Sequence, residues 1–126
     1  MRTLVMKFGG TSVGSSAAIL QTANIIQQQK SLWENLVVVV SAMSGVTDQL
    51  ILSARLAAEN DGEGSSAIIE VIHNQHLAVI ESLITDPDEK QLLLQKVHQR
   101  LEELRSFCQS IQVLGEVTPR GMVVIS

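Results

Sequence analysis

At 126 residues with a formal net charge of −4, the chain is one domain of ordinary size or part of one, and its acidic balance argues against nucleic acid or an anionic membrane as partner. Hydrophobic residues make up 45%, ample for a core, but the only aromatics are Phe8, Trp33 and Phe107, so aliphatic side chains must carry the packing. The single cysteine, Cys108, excludes an intrachain disulfide, and Lys7 interrupts the N-terminal apolar run far short of a signal-peptide core or a membrane span, so a soluble cytoplasmic protein is expected.

The first residues, Thr3 to Phe8, are mostly β-branched or large and apolar, the pattern of a strand buried on both faces. Residues 9–16 read as a loop, with Ser15 or Ser16 placed to cap a helix on which Ile19, Ala23 and Ile26 recur at helical spacing. Leu36-Val37-Val38-Val39-Val40 is the second strand. Strand, helix and strand form a βαβ unit, whose crossover is right-handed in nearly all known cases, and both strand ends then open on one edge of a parallel sheet. The second strand runs into Ser41-Ala42-Met43-Ser44-Gly45-Val46-Thr47-Asp48, with Thr47 as N-cap of a helix carrying Leu50, Ile51, Ala54 and Ala58 and stopping near Asn60-Asp61-Gly62. Two small-residue loops are thus expected side by side, able to hold two ligands facing each other.

Beyond that point the pattern is helical. Ile69, Ile72, His76, Ile80 and Leu83 share one face of a helix over residues 66–84. Asp86-Pro87-Asp88-Glu89 is a helix start with cap, proline and a capping-box acid, and it opens a long helix striped by Leu94, Val97, Leu101, Leu104 and Cys108. The two helices are expected to form an antiparallel hairpin. Thr118-Pro119-Arg120 begins a further helix, and no repeat or linker marks a second domain. Two parallel strands are few for an α/β sheet, and the chain stops on Val123-Val124-Ile125, so it is read as the front portion of a larger protein.

The segment Lys7-Phe8-Gly9-Gly10-Thr11-Ser12-Val13 carries the chemistry. In open α/β sheets ligands bind just beyond the carboxyl ends of strands. A glycine pair lets backbone approach a phosphate, and the first amides of the following helix offer donors and a positive dipole end. Lys7 supplies charge there, unless it simply snorkels to water from a strand end. Gly9 and Gly10 suit a tight turn as well as phosphate approach. Thr11 and Ser12 either donate hydroxyls to phosphate oxygens or cap the helix. Neither the Walker spacing, with its lysine after the glycines, nor a spaced Gly-x-Gly-x-x-Gly occurs.

Three segments, in order along the whole chain, resemble the aspartokinases of the amino-acid kinase superfamily. They are Lys7 to Val13, then Val38-Val39-Val40-Ser41-Ala42-Met43-Ser44-Gly45-Val46-Thr47, then Leu114-Gly115-Glu116-Val117-Thr118-Pro119-Arg120. The resemblance implies a partial amino-acid-kinase fold of class α/β, with a βαβ parallel-sheet core followed by a helical hairpin, and residues 1–126 as the N-terminal portion of a catalytic domain. It implies transfer of the γ-phosphoryl group of ATP, with Mg²⁺, to the side-chain carboxylate of L-aspartate. The product, 4-phospho-L-aspartate, leads to lysine, threonine and methionine. Lys7 is then the catalytic cation, Gly9, Gly10, Thr11 and Ser12 bind ATP phosphates, and Ser41, Ser44, Gly45 and Thr47 serve aspartate. A homo-oligomer is expected. In the family the chain continues into a Phe-Gly-Glu segment that contacts aspartate, then into Mg²⁺, nucleotide and regulatory elements, so these 126 residues alone are expected to show no kinase activity. The competing readings are a non-catalytic phosphate-binding or self-associating module, and a kinase of another small carboxylate.

Other polar residues have plainer explanations. His73 and His76 are spaced for a metal, but no cysteine or carboxylate cluster joins them, and packing roles are expected. Cys108 sits on an apolar stripe as a core thiol, Glu102 and Glu103 belong to a solvated helix face, and Arg120 is a candidate for a substrate carboxylate or a solvated side chain.

Overall fold

A computed structural model describes residues 2–125. The chain divides into two compact units that meet at the Gly45–Val46 bond.

The first unit contains β1 (Thr3–Phe8), α1 (Ser16–Lys30) and β2 (Asn35–Val40). The strands pair in parallel, with Thr3 opposite Asn35 and Phe8 opposite Val40, so their carboxyl ends finish level at one rim. Ser15 caps α1, its Oγ accepting the Ala18 N–H at 3.2 Å. Two expectations need correction. β1 is not buried on both faces: exposure alternates, and Val5 on β1 is 64% exposed while Val37 and Val39 on β2 are 46% and 47% exposed. Within this unit, α1 covers the other face, where Phe8 shares a cleft with Ala18, Thr22 and Ile25. The buried residue of α1 is Thr22, while Ala23 is exposed, because the inward face includes a hydroxyl that a search for apolar spacing passes over.

The second unit is helical: α2 (Val46–Ala58), α3 (Gly62–Leu83), α4 (Pro87–Leu114) and α5 (Pro119–Ile125). Ser53, Ala54 and Ala57 on α2 are almost wholly buried, and such small side chains let helices approach closely. They pack with Ile69 and Ile72 of α3 and with Leu101, Leu104, Cys108 and Ile111 of α4 in an aliphatic core. The ion pair Glu81–Lys90 at 3.0 Å, the pair Glu70–Arg105 at 3.1 Å and the Asn60–Gln112 hydrogen bond at 3.0 Å lie successively farther from the α3–α4 connection, as an antiparallel hairpin requires. Asp86 caps α4 as read, accepting the Glu89 N–H at 3.1 Å, and Gly115 ends it at φ +75°. Thr118 Oγ1 accepts the Gly121 N–H at 3.1 Å at the start of α5.

Helix boundaries differ from expectation in two places. Helix α3 starts at Gly62, not residue 66, because Asp61 caps it by accepting the Gly64 N–H at 2.8 Å, and Asn60 alone, at φ 62°, makes the turn out of α2. Helix α2 starts at Val46, so Thr47 is not its N-cap but an exposed residue of its first turn. Gly45, at φ +82°, takes the left-handed conformation that glycine adopts freely and turns the chain into the helix before Thr47 is reached.

Candidate functional site

Because β1 and β2 are parallel and in register, the loops that follow them leave the sheet at the same rim. The Ser41 N–H donates to the Phe8 carbonyl at 3.1 Å, extending the pairing one residue past β2. Beyond it the loops touch. A methyl group built on Gly10 lies 3.4 Å from the Ala42 carbonyl oxygen and 3.6 Å from Ser41 Oγ, and one built on Gly14 lies 3.0 Å from Ser44 Cβ. The first loop is folded on itself by two backbone hydrogen bonds, Ser12 N–H to the Gly9 carbonyl at 3.1 Å and Gly14 N–H to the Thr11 carbonyl at 3.4 Å. Val13 is buried beneath it, and the buried Thr22 hydroxyl donates to the Ser12 carbonyl at 2.7 Å.

The glycines separate into two kinds. At Gly14 a methyl would sit 2.9 Å from the Gly10 carbonyl oxygen, closer than real side chains come, so the fold itself requires glycine there. At Gly9 a methyl would meet nothing within 4 Å, and the backbone is outside the left-handed region, so neither sterics nor turn geometry in this chain demands glycine. Gly10 lies between, with only ordinary contacts. Sequence reasoning singled out Gly9 and Gly10 and missed Gly14 and Thr22. A third glycine just ahead of the helix cap was the available signal for Gly14.

Lys7 is exposed on the sheet face opposite Phe8, by strand alternation. Among the described residues it has no hydrogen bond or ion pair, so its ammonium is not neutralised by a neighbour. Residues 7–16 and 41–45 contain no aspartate or glutamate. The rim therefore offers several hydroxyls and backbone N–H groups, with the Lys7 ammonium on the exposed face of the strand that leads into it, a set suited to an anion rather than a cation. Thr11, Ser41 and Ser44 are exposed along it and Ser12 is partly covered, while Ser41 Oγ donates to the Ala42 carbonyl at 3.0 Å.

The profile of the amino acid kinase family matches residues 2–118. The chain belongs to the amino acid kinase family. Its relatives include the bifunctional aspartokinase/homoserine dehydrogenase 1 of Zea mays chloroplasts, 32% identical over 114 residues, which are 90% of this chain and 12% of that protein. The aspartokinase of Candida albicans is 33% identical over 125 residues, 94% of this chain and 22% of that protein. An aspartokinase of Bacillus sp. strain MGA3 is 51% identical over 51 residues, 40% of this chain and 12% of that protein. The crystal structure of Escherichia coli aspartokinase III, solved with lysine and aspartate, superposes with a TM-score of 0.75 at 24% identity, covering 98% of this chain and 25% of that one. That likeness establishes the fold, an amino-acid-kinase α/β arrangement with a two-stranded parallel sheet and several helices. The chain spans between an eighth and a quarter of the length of these relatives.

The remaining polar candidates lie in the helical unit. His76 Nδ1 is 2.7 Å from the Ile72 carbonyl, and His73 Nδ1 is 3.6 Å from Glu70. Among the described residues no three His, Cys, Asp or Glu side chains gather as metal ligands would. Cys108 is buried, with Sγ 3.9 Å from Ser53 Oγ. Glu102 and Glu103 pair with Arg105 and Arg100 at the helix surface, at 3.4 Å and 3.2 Å, and Arg120 is exposed in the first turn of α5. No described helix is long and apolar enough to cross a membrane.

Proposed function

We propose that this chain is the N-terminal portion of an aspartokinase catalytic domain, and that the protein carrying it transfers the γ-phosphoryl group of ATP to the side-chain carboxylate of L-aspartate. The product is 4-phospho-L-aspartate, at the entry to lysine, threonine and methionine synthesis. The observation that carries this reading is the contact between two small-residue loops at one rim of a parallel strand pair, with the unneutralised Lys7 on the strand leading into the first. The aspartokinase identity of the relatives supports it.

Aspartate needs little activation, because a carboxyl with a pKa of about 4 is ionised at neutral pH and requires no general base. The protein's work is to position the partners and to offset charge on the transferring group. Lys7 supplies positive charge, the open space over Gly9 lets a phosphate oxygen reach the backbone, and Gly10, Thr11 and Ser12 supply donors around it. Ser41, Ser44 and Gly45 of the second loop are assigned to aspartate, and Thr47 is assigned to it by the family resemblance alone. Magnesium carried by ATP would offset phosphate charge, but this rim holds no carboxylate and does not make a magnesium site.

The test is a coupled assay of a longer protein containing these residues, with ATP, Mg²⁺ and aspartate. Turnover that falls by about 10²- to 10³-fold in Lys7→Ala is expected. Equal or better turnover with another small carboxylate overturns the substrate assignment. The 126-residue chain alone is expected to be inactive, and turnover above background contradicts that. A second reading, a self-associating module and hence a homo-oligomer, is favoured by the exposed Val5, Val37 and Val39 strip. Sedimentation of the chain as a monomer dismisses it.

A further inference from the structure

We infer that Thr22, in the middle of α1, is a positioning residue for the phosphate-binding loop, acting through the Ser12 carbonyl; the inference rests on the phosphate reading of that loop. Thr22 is only 6% exposed, and its hydroxyl donates to the Ser12 carbonyl oxygen at 2.7 Å across ten residues of sequence. A threonine inside a helix commonly turns its hydroxyl back to the carbonyl one turn earlier. Here it reaches out of the helix to the loop.

Val13 is the loop's buried apolar side chain, but on the side toward α1 the loop is not closely packed. Phe8, Thr11, Ser12, Ala18, Thr22 and Ile25 line an open cleft of about 300 Å³ between the loop and α1. The Ser15 cap ties down the loop's far end, and contacts with the second loop involve Gly10 and Gly14. The middle of the loop, where the Ser12 N–H closes the turn onto Gly9, is anchored to α1 by the Thr22 bond. That bond takes up the Ser12 carbonyl and orients its peptide plane. The hydroxyls and amides of Thr11 and Ser12 are thereby held in one arrangement, and donors fixed in advance bind an anion more tightly than donors that must be ordered on binding.

The test uses the 126-residue chain for amide hydrogen exchange and thermal melting followed at Trp33, and a longer protein containing these residues for ATP binding by titration calorimetry. Thr22→Val keeps the shape and removes the donor. Its Ser12 and Gly14 amides are expected to exchange about five- to tenfold faster, the size of one lost hydrogen bond, with amides in the middle of α1 unchanged. ATP affinity should fall by a similar factor, and Thr22→Ser should restore both. Equal acceleration throughout α1 and the loop would mean a merely structural role and overturns the inference, as does unchanged exchange at Ser12 and Gly14. If Thr22→Val does not fold, Thr22→Ser against Thr22→Ala gives the same comparison. Should the longer wild-type protein bind no ATP while the loop still loosens in Thr22→Val, the anchor stands and the phosphate reading of the loop fails instead.

Discussion

Replacing Gly14 and Gly9 in turn by alanine separates the demands of the fold from those of a ligand. At Gly14 the new methyl would lie 2.9 Å from the Gly10 carbonyl oxygen and 3.0 Å from Ser44 Cβ, against backbone on one side and a short side chain on the other. Neither neighbour is the far end of a flexible chain. The first loop must open between Gly10 and Gly14 and the second must give way at Ser44, and overpacking of this kind costs about 1–3 kcal/mol. The lower entropy of an alanine in the unfolded chain returns about 0.4–1 kcal/mol, leaving a net loss of about 0–2.6 kcal/mol, centred on about 1.3 kcal/mol. At Gly9 the same entropy gain meets no steric cost, so Gly9→Ala should be neutral or more stable by up to about 1 kcal/mol. Trp33, the sole tryptophan, lies in the strand-bearing unit, where its Nε1 donates to Gln29 Oε1 at 3.1 Å, so its fluorescence in a urea titration reports that unit. A Gly14→Ala midpoint at or above wild type, with unchanged slope, refutes the crowding argument. A Gly9→Ala loss as large as that of Gly14→Ala refutes the separation of the two glycines.

Lys7→Ala should leave the urea midpoint within about 0.5 kcal/mol of wild type, since Lys7 is exposed and lacks a partner among the described residues, and a larger loss would show that the lysine serves the fold. Asp86→Ala removes the acceptor of the Glu89 N–H and should cost about 1 kcal/mol, read by circular dichroism on thermal melting, with Asp86→Asn recovering most of it. Leu104→Ala, in the buried stripe of α4, should cost about 2–5 kcal/mol, while Leu92→Ala on the exposed side should cost well under 1 kcal/mol.

Much of this architecture was legible because it rests on local signals. The run from Leu36 to Val40, the Ser15 cap and the Asp86-Pro87 start each express a backbone preference that neighbouring sequence does not override. What escaped were features made by two segments at once. Thr22 looks like a polar interruption until Ser12 is folded back over it, and Gly14 looks like one more loop glycine until Ser44 arrives beside it. Thr47 escapes for a related reason: its cap preference is real, but Gly45, at φ +82°, sets the turn first. An apolar run such as β1 says only that a face can be covered, and the valine strip of this unit remains exposed.

The division among the glycines also bears on how the rim could work. A loop that only had to turn would need glycine where the backbone is crowded or left-handed, and Gly14 and Gly45 meet those conditions. Gly9 meets neither, and it follows Lys7 by two residues, just past the end of β1. On the phosphate reading proposed above, the space left open at Gly9 is taken by an occupant that is negative and narrow enough to touch backbone. A phosphate oxygen satisfies both conditions. Gly9→Ala should consequently weaken ATP binding while leaving stability intact or improved, and a variant that binds ATP as tightly as wild type would remove the ligand from the explanation of that glycine.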